Sequence, residues 1–327
     1  MEGMQTKALV EGAIFAGVTA LLGILYYYSQ YLGIIAMVWP VPVIIVGYRN
    51  GIKASILSAL SAGLIVSLVT QPLVGVGLLI GFGVPGILMG YMINKRMNPY
   101  AVVFLCGVIL SLSMVGEFLL TLKIAGIDGL EFLSRLDSSF RQQLEITLNI
   151  YRRFGVAEDK LKEFSNYFSR TMDIMKLVIP SALLISGLIF SFIDYKLTRL
   201  ILKRTGNTIP DIDEFSKWRL TEPYSYILIG AAVLTRGASY FKVPGFNTVA
   251  LNISTMLMLI LSIVGISVIV YFVGVYGDRY GMSKAFRNIL TVLFILVFMQ
   301  FVFIIGILDL VFDFRRLKTK NSIGGVK

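Results

Sequence analysis

Eight stretches of this 327-residue chain (8–28, 32–48, 51–69, 73–93, 101–122, 175–195, 248–275 and 289–312) are each long and apolar enough to cross a lipid bilayer. A hydrocarbon core about 30 Å thick takes roughly 20 residues of helix to span. With no water there to bond to, the backbone of such a segment must satisfy itself, as a helix does. The fold class that follows is all-α: a polytopic transmembrane helical bundle. A ninth stretch, 224–240, is shorter and carries Arg236, so eight or nine spans are expected.

Composition agrees with a lipid surround. Hydrophobic residues make up 56% of the chain and charged ones 15%, and mean hydropathy is +0.80, outside the range of soluble domains. The net charge of +11 raises the question of nucleic acid. Its Lys and Arg residues, however, gather in short segments between spans, where they set orientation and meet anionic headgroups. The expected partner is the lipid bilayer, with no nucleic-acid partner. His is absent and Cys106 is the only cysteine. That excludes His-based catalysis, His/Cys metal clusters and intrachain disulfides. Neither a Gly-x-x-x-x-Gly-Lys-Ser/Thr loop nor a nucleophile elbow occurs. The chain is expected to be no enzyme, to hold no cofactor or metal, and to hydrolyse no nucleotide itself.

Basic residues recur after every second span: Arg49 and Lys53, then Lys95 and Arg96, then Lys196, Arg199, Lys203 and Arg204. The connections at 29–31 and 70–72 carry no charge. Positive loops stay on the cytoplasmic side, which places the N-terminus inside. The segment 1–7 leads into the first span without a small-residue cleavage site, so that span is expected to be retained. The far end stays open. If 224–240 crosses, the tail with Arg315, Arg316, Lys318 and Lys320 ends outside; if it is re-entrant, the tail lies inside, as its charge favours.

Residues 129–173 alternate at helical spacing, with Leu133, Leu136, Phe140, Leu144, Leu148 and Tyr151 before Gly155, and Leu161, Phe164, Phe168 and Met172 after it. This predicts a pair of amphipathic helices forming an insert on the outer face, either a solvated cap or a lid. Three segments follow: 1–127, a five-span half; 128–173, the extracytoplasmic insert; and 174–327, a C-terminal membrane half with a basic tail. Residues 207–223, with Pro210, Phe215 and Trp218, suit a short interfacial helix.

Ionisable residues inside spans are the most telling, because each costs about 2.5–3.5 kcal/mol at mid-helix and must find a partner or a cavity. Glu117 lies within the fifth span and Arg236 within the weak ninth. They are expected to pair or to line one polar cavity jointly. Glu11 sits near the start of the first helix, where it favours the helix dipole. Asp309 and Asp313 lie beside Arg315 and Arg316 and are expected to pair locally. Trp39-Pro-Val-Pro breaks the second span, and Gly81, Gly83, Pro85 and Gly86 bend or loosen the fourth. Asn252 is an interhelical hydrogen-bonding candidate. Small residues at four-residue spacing, Ala16 and Ala20 on the first span and Gly86 and Gly90 on the fourth, allow close helix approach within the chain or to a partner. The residues expected at a substrate site are thus Glu117, Arg236, Trp39 and Asn252.

Several segments, in order, resemble the YybS-like family of bacterial membrane proteins: Thr6-Lys-Ala-Leu-Val-Glu-Gly-Ala, Trp39-Pro-Val-Pro, Tyr48-Arg-Asn-Gly, Pro210…Phe215…Trp218…Pro223, Asn252…Gly265, and Gly306-Ile-Leu-Asp-Leu-Val-Phe-Asp-Phe-Arg. That family is similar to the S components of energy-coupling factor transporters, helical bundles that capture vitamins or metal ions for a separate ATPase-driven module. The resemblance implies a multi-pass protein of the bacterial cell membrane. It also implies that Ala16, Ala20, Gly86 and Gly90 dock such a module. The resemblance to the YybS-like family spans nearly the whole chain, whereas that to S components covers the first six spans; the insert and the last spans depart from it. Two functions follow: a subunit that binds or transports a small solute, or a membrane scaffold or regulator that holds partners through its basic edge and tail.

Overall fold

The computed structural model describes residues 6–29, 34–220, 222–240 and 246–315. The chain is 87% helical, and no strand occurs among the described residues. Its helices run in chain order as α1 (Thr6–Tyr28), α2 (Ile34–Val38), α3 (Pro40–Asn50), α4 (Ile52–Val69), α5 (Pro72–Leu78), α6 (Val84–Asn94), α7 (Pro99–Ile124), α8 (Gly129–Arg153), α9 (Glu158–Leu177), α10 (Ile179–Arg204), α11 (Glu222–Tyr240), α12 (Phe246–Arg279), α13 (Lys284–Phe298) and α14 (Val302–Phe312). Seven helical segments have the length and apolarity of a span, and the shorter apolar helices Ile35–Asn50 and Ser225–Thr235 bring the total to the nine stretches seen in the sequence.

Prolines set the breaks. The second stretch is cut at Trp39, and α3 begins on Pro40, where a missing N–H costs nothing. Between α5 and α6 the residues Leu79–Gly83 form a π-helical turn, in which the Val84 N–H reaches back five residues to the Leu79 carbonyl. Pro85 explains it: having no N–H, it cannot continue the four-residue ladder, and the register slips by one. Side-chain caps start other helices, Asn98 for α7, Asp128 for α8 and Ser283 for α13, each accepting from a backbone N–H in the first turn.

The insert is the expected helical pair. Gly126 and Gly155, at φ +68° and +78°, turn the chain before and after α8. Leu144 and Leu161 are buried, and the Tyr151 and Phe164 rings meet edge-on at 5.9 Å. Leu133, Tyr151 and Phe164 of the expected apolar stripe are exposed instead.

Packing divides the chain into two units, residues 1–175 with 182–211, and residues 176–181 with 212–327. The first unit thus takes in most of α10, which the three-segment sequence division grouped with the C-terminal half. Its core centres on Trp39, Val43, Ala59, Val66, Leu78 and Leu110. Small residues bring its backbones together. A Cβ on Gly90 would lie 2.8 Å from the Ile44 carbonyl and 3.0 Å from the Gly47 Cα, so α3 and α6 touch backbone to backbone. In the second unit α12 packs on α14, and Gly265 and Gly306 leave no space for a side chain between them.

Candidate functional site

The carboxyl of Glu117 sits against a broken helix. A Cβ on Gly77 would come within 2.9 Å of its Oε1, and one on Gly81 within 2.8 Å of its Oε2. These two glycines are four residues apart, on the face that α5 and the π-helical turn present to α7. They form a cradle that any larger residue would fill. Glu117 is half-buried, and neither an ion pair nor a hydrogen bond ties down its carboxyl among the described residues. An acid at membrane depth, beside a π-helical turn and with no counter-charge among the described residues, is a candidate functional site.

The other expected site residues lie elsewhere. Trp39 is wholly buried, wedged between Gly23 of α1 and Gly83 at the end of the π-helical turn, so it is a core residue of the first unit. The Arg236 side chain lies outside the described residues, and so does its expected pairing with Glu117. Asn252 has its amide fully engaged. Its Nδ2 donates to the Leu177 and Thr248 carbonyls at 2.7 and 2.8 Å, and its Oδ1 accepts from the Ser181 N–H at 2.9 Å. In an unbroken helix the Ser181 N–H would bond the Leu177 carbonyl. The chain breaks at Val178, just before Pro180, and the Asn252 side chain bridges the gap. Ala16 and Ala20 are buried in the first unit, and Gly86 packs on Pro40 as Gly90 packs on Ile44. A partner docking at any of these four would have to displace this chain's own helices.

The second unit holds a contrasting cluster. The Arg315 guanidinium donates to Asp309 at 2.7 Å, to the Ser267 hydroxyl at 2.8 Å, and to the Ser216 and Trp218 carbonyls at 2.8 and 2.9 Å. Both charged side chains are almost wholly buried. The expected local pairing is met by Asp309 with Arg315, and Asp313 also reaches Arg219 at 3.4 Å. Every N–H of Arg315 is used, which ties the 215–218 turn to α12 and α14. Beside it, Arg219, Ser225, Asp309 and Asp313 line a crevice of about 20 Å³, room for one water. In the first unit Glu11 does not simply favour its helix dipole; it pairs with Arg49 at 2.5 Å and accepts from Asn50 at 3.0 Å.

Two features escaped sequence reasoning. Gly77 and Gly81 were legible only as part of a glycine-rich run, and their four-residue spacing opposite a span's one acid was the available signal. Asp194 is buried within α10, although its place two residues before Lys196 gave it the look of a rim charge.

Residues 17–310 match the sequence pattern of a family described as "Predicted membrane protein (DUF2232)". The chain belongs to that family. It is also 27% identical over 319 residues, 95% of its own length and 98% of the relative's, to "Uncharacterized protein YybS" of Bacillus subtilis (strain 168). No solved structure matches it. This member of the family is therefore an integral membrane protein with multiple apolar helices.

Proposed function

We propose that this integral membrane protein is a transport subunit in which Glu117 holds a solute of ionic size. One observation carries the reading: a carboxyl with no counter-charge among the described residues, seated on two glycines at a π-helical turn inside the membrane-spanning part of the first unit. Size favours an ion over a vitamin, because even a Cβ added to Gly77 or Gly81 would lie within 2.9 Å of the carboxyl oxygens. With the basic loops inside, the N-terminus is cytoplasmic. Any energy from nucleotide hydrolysis comes from a separate partner, such as the ATPase-driven module of the S-component systems.

Current recordings on reconstituted vesicles, stepped in turn through pH, sodium, potassium, magnesium and small organic ions, test the reading. A transient seen with one of these in the wild type and lost in Glu117→Gln supports it. Silence throughout, or equal transients in both proteins, overturns it.

A scaffold without transport activity is the second reading, favoured by the packed interior of the first unit. There Ala16 and Ala20 of α1 and Gly86 and Gly90 of α6 are covered within the chain.

A further inference from the structure

The first unit buries a second acid, and it does so among sulfur. Asp194 on α10 is 3% exposed, and its Oδ1 has no hydrogen-bond partner. The basic residues nearest to it in sequence, Lys196 and Arg199, both bind Asp211, at 2.8 and 3.0 Å. Asp194 lines a narrow space between α3, α6, α7 and α10, together with Ile44, Met89, Cys106 and Ser191. Cys106 is wholly buried and Met89 almost so. The Cys106 thiol is directed to the Met92 sulfur at 3.8 Å. Met89 and Met92 are three residues apart, neighbours on one face of α6. A thiol, two thioethers and a carboxyl therefore gather where α6 and α7 meet α10.

A buried carboxylate needs a proton or a cation to answer its charge. The lining selects among cations. It has no room for a water molecule, so a hydrated hard ion does not fit: magnesium keeps several waters, and calcium takes six to eight oxygen ligands. Among the lining residues Ser191 has the one hydroxyl, which donates to the Val103 carbonyl at 2.9 Å. Zinc takes four ligands from Cys, His, Asp and Glu. His is absent from the chain, and among the described residues no three of Cys, Asp and Glu come together. Thiol and thioether are soft ligands, the set that selects copper(I). The sulfur separation agrees. A metal about 2.3 Å from each of two sulfurs that lie 3.8 Å apart subtends an angle of about 110° between them. Such an angle leaves coordination positions open for further ligands, and Met89 and Asp194 are at hand. The ion takes the place of the hydrogen between the two sulfurs, so it needs no cavity of water size.

We propose that Cys106, Met92, Met89 and Asp194 form a site for one soft monovalent cation of the copper(I) class. Sulfur supplies the bonds. One negative charge, on the thiolate or the carboxylate, balances the ion, and the other group keeps its proton. Relative to the ion-free site with both groups protonated, one proton is released for each ion bound, and no oxidation state changes. The site depends on no property of Glu117. Cys106 lies seven residues past Pro99, the start of α7, which is about 10 Å of helix rise from the rim that carries Lys95 and Arg96. Met92, partly buried, is the most accessible of the four.

Competition for copper(I) against bathocuproine disulfonate tests the site, on the full chain in mild detergent with a reductant that does not bind the metal. The wild type should take one copper(I) per chain from the reagent, and Cys106→Ala should take none. Met92→Leu and Asp194→Asn should each raise the Kd about 10- to 100-fold, with elution on gel filtration unchanged. X-ray absorption of the loaded wild type needs no variant and should show at least two sulfurs at about 2.3 Å. No uptake by the wild type, or equal uptake by Cys106→Ala, overturns the proposal. A spectrum with a single sulfur, or a Kd unchanged in both Met92→Leu and Asp194→Asn, overturns it in favour of a bare thiol. A Kd unchanged in Asp194→Asn alone overturns the part given to the carboxyl. Displacement of the copper by equimolar zinc overturns the choice of a soft ion. Where a variant elutes differently, the sulfur count in the wild type decides.

Discussion

The two units treat a buried acid in opposite ways. In the second, Asp309 lies against Arg315, whose every donor is engaged by a carboxylate, a hydroxyl or a carbonyl. In the first, Glu117 rests on glycine backbone and the Oδ1 of Asp194 is buried without a hydrogen-bond partner, and among the described residues neither forms an ion pair. A saturated ion pair fixes helices in register; an unanswered carboxyl adds little to stability and keeps its capacity to bind something else. Cohesion and reactivity are therefore housed in different parts of one chain.

The largest effect should come from breaking the saturated pair. Arg315→Leu strands the Asp309 charge in the interior and should cost about 3–5 kcal/mol, read from denaturation midpoints in detergent. Replacing both residues by Leu should recover most of that loss. If the single change costs nothing, the contrast between the units fails. Next comes the cradle: Gly81→Ala sets a methyl 2.8 Å from the Glu117 carboxylate and should cost about 1–3 kcal/mol by overpacking. Most of that loss should vanish in a Glu117→Ala background, whereas an equal loss in both would mean that the glycine serves only its own backbone. Asn252→Ala removes the splint across the α9–α10 break. It should cost about 1 kcal/mol, with faster amide exchange confined to the residues around Ser181.

Glu117→Gln should lie at the small end, within about 0.5 kcal/mol of the wild type, because no ion pair among the described residues is lost. A large destabilisation would show that the group is structural after all. The smallest effect belongs to the insert. There the hydrogen bond from Arg152, with the charges of Arg152 and Lys162, holds Glu158 below the ordinary glutamate range. An acid depressed in this way supports the fold above its unfolded pKa and ceases to as pH falls through its folded one. Amide protection in the turn between α8 and α9 should therefore decline on acidification. Glu158→Gln should abolish that dependence.

Much of the fold was legible because lipid imposes a simple code. Apolar length gave the spans, prolines at 40 and 85 gave the breaks, and the spacing around Gly155 gave the insert. The candidate site was legible in part. Glu117 stood out as an acid inside a span, but the glycines that seat it are contributed by another helix. Asn252 was visible as a hydrogen-bonding candidate and not as a splint, since the break it bridges lies 71 residues away at Ser181. Asp194 drew no notice because it lies only two residues from Lys196 in sequence, while the fold buries it inside the first unit.

By itself the sequence determined the solvent, the helices and where they break, because those depend on each segment's own polarity and backbone chemistry. Which acids found a partner was decided only by tertiary structure. A charge is satisfied by what neighbouring helices place within about 3 Å of it, and that neighbourhood is assembled from residues far apart along the chain.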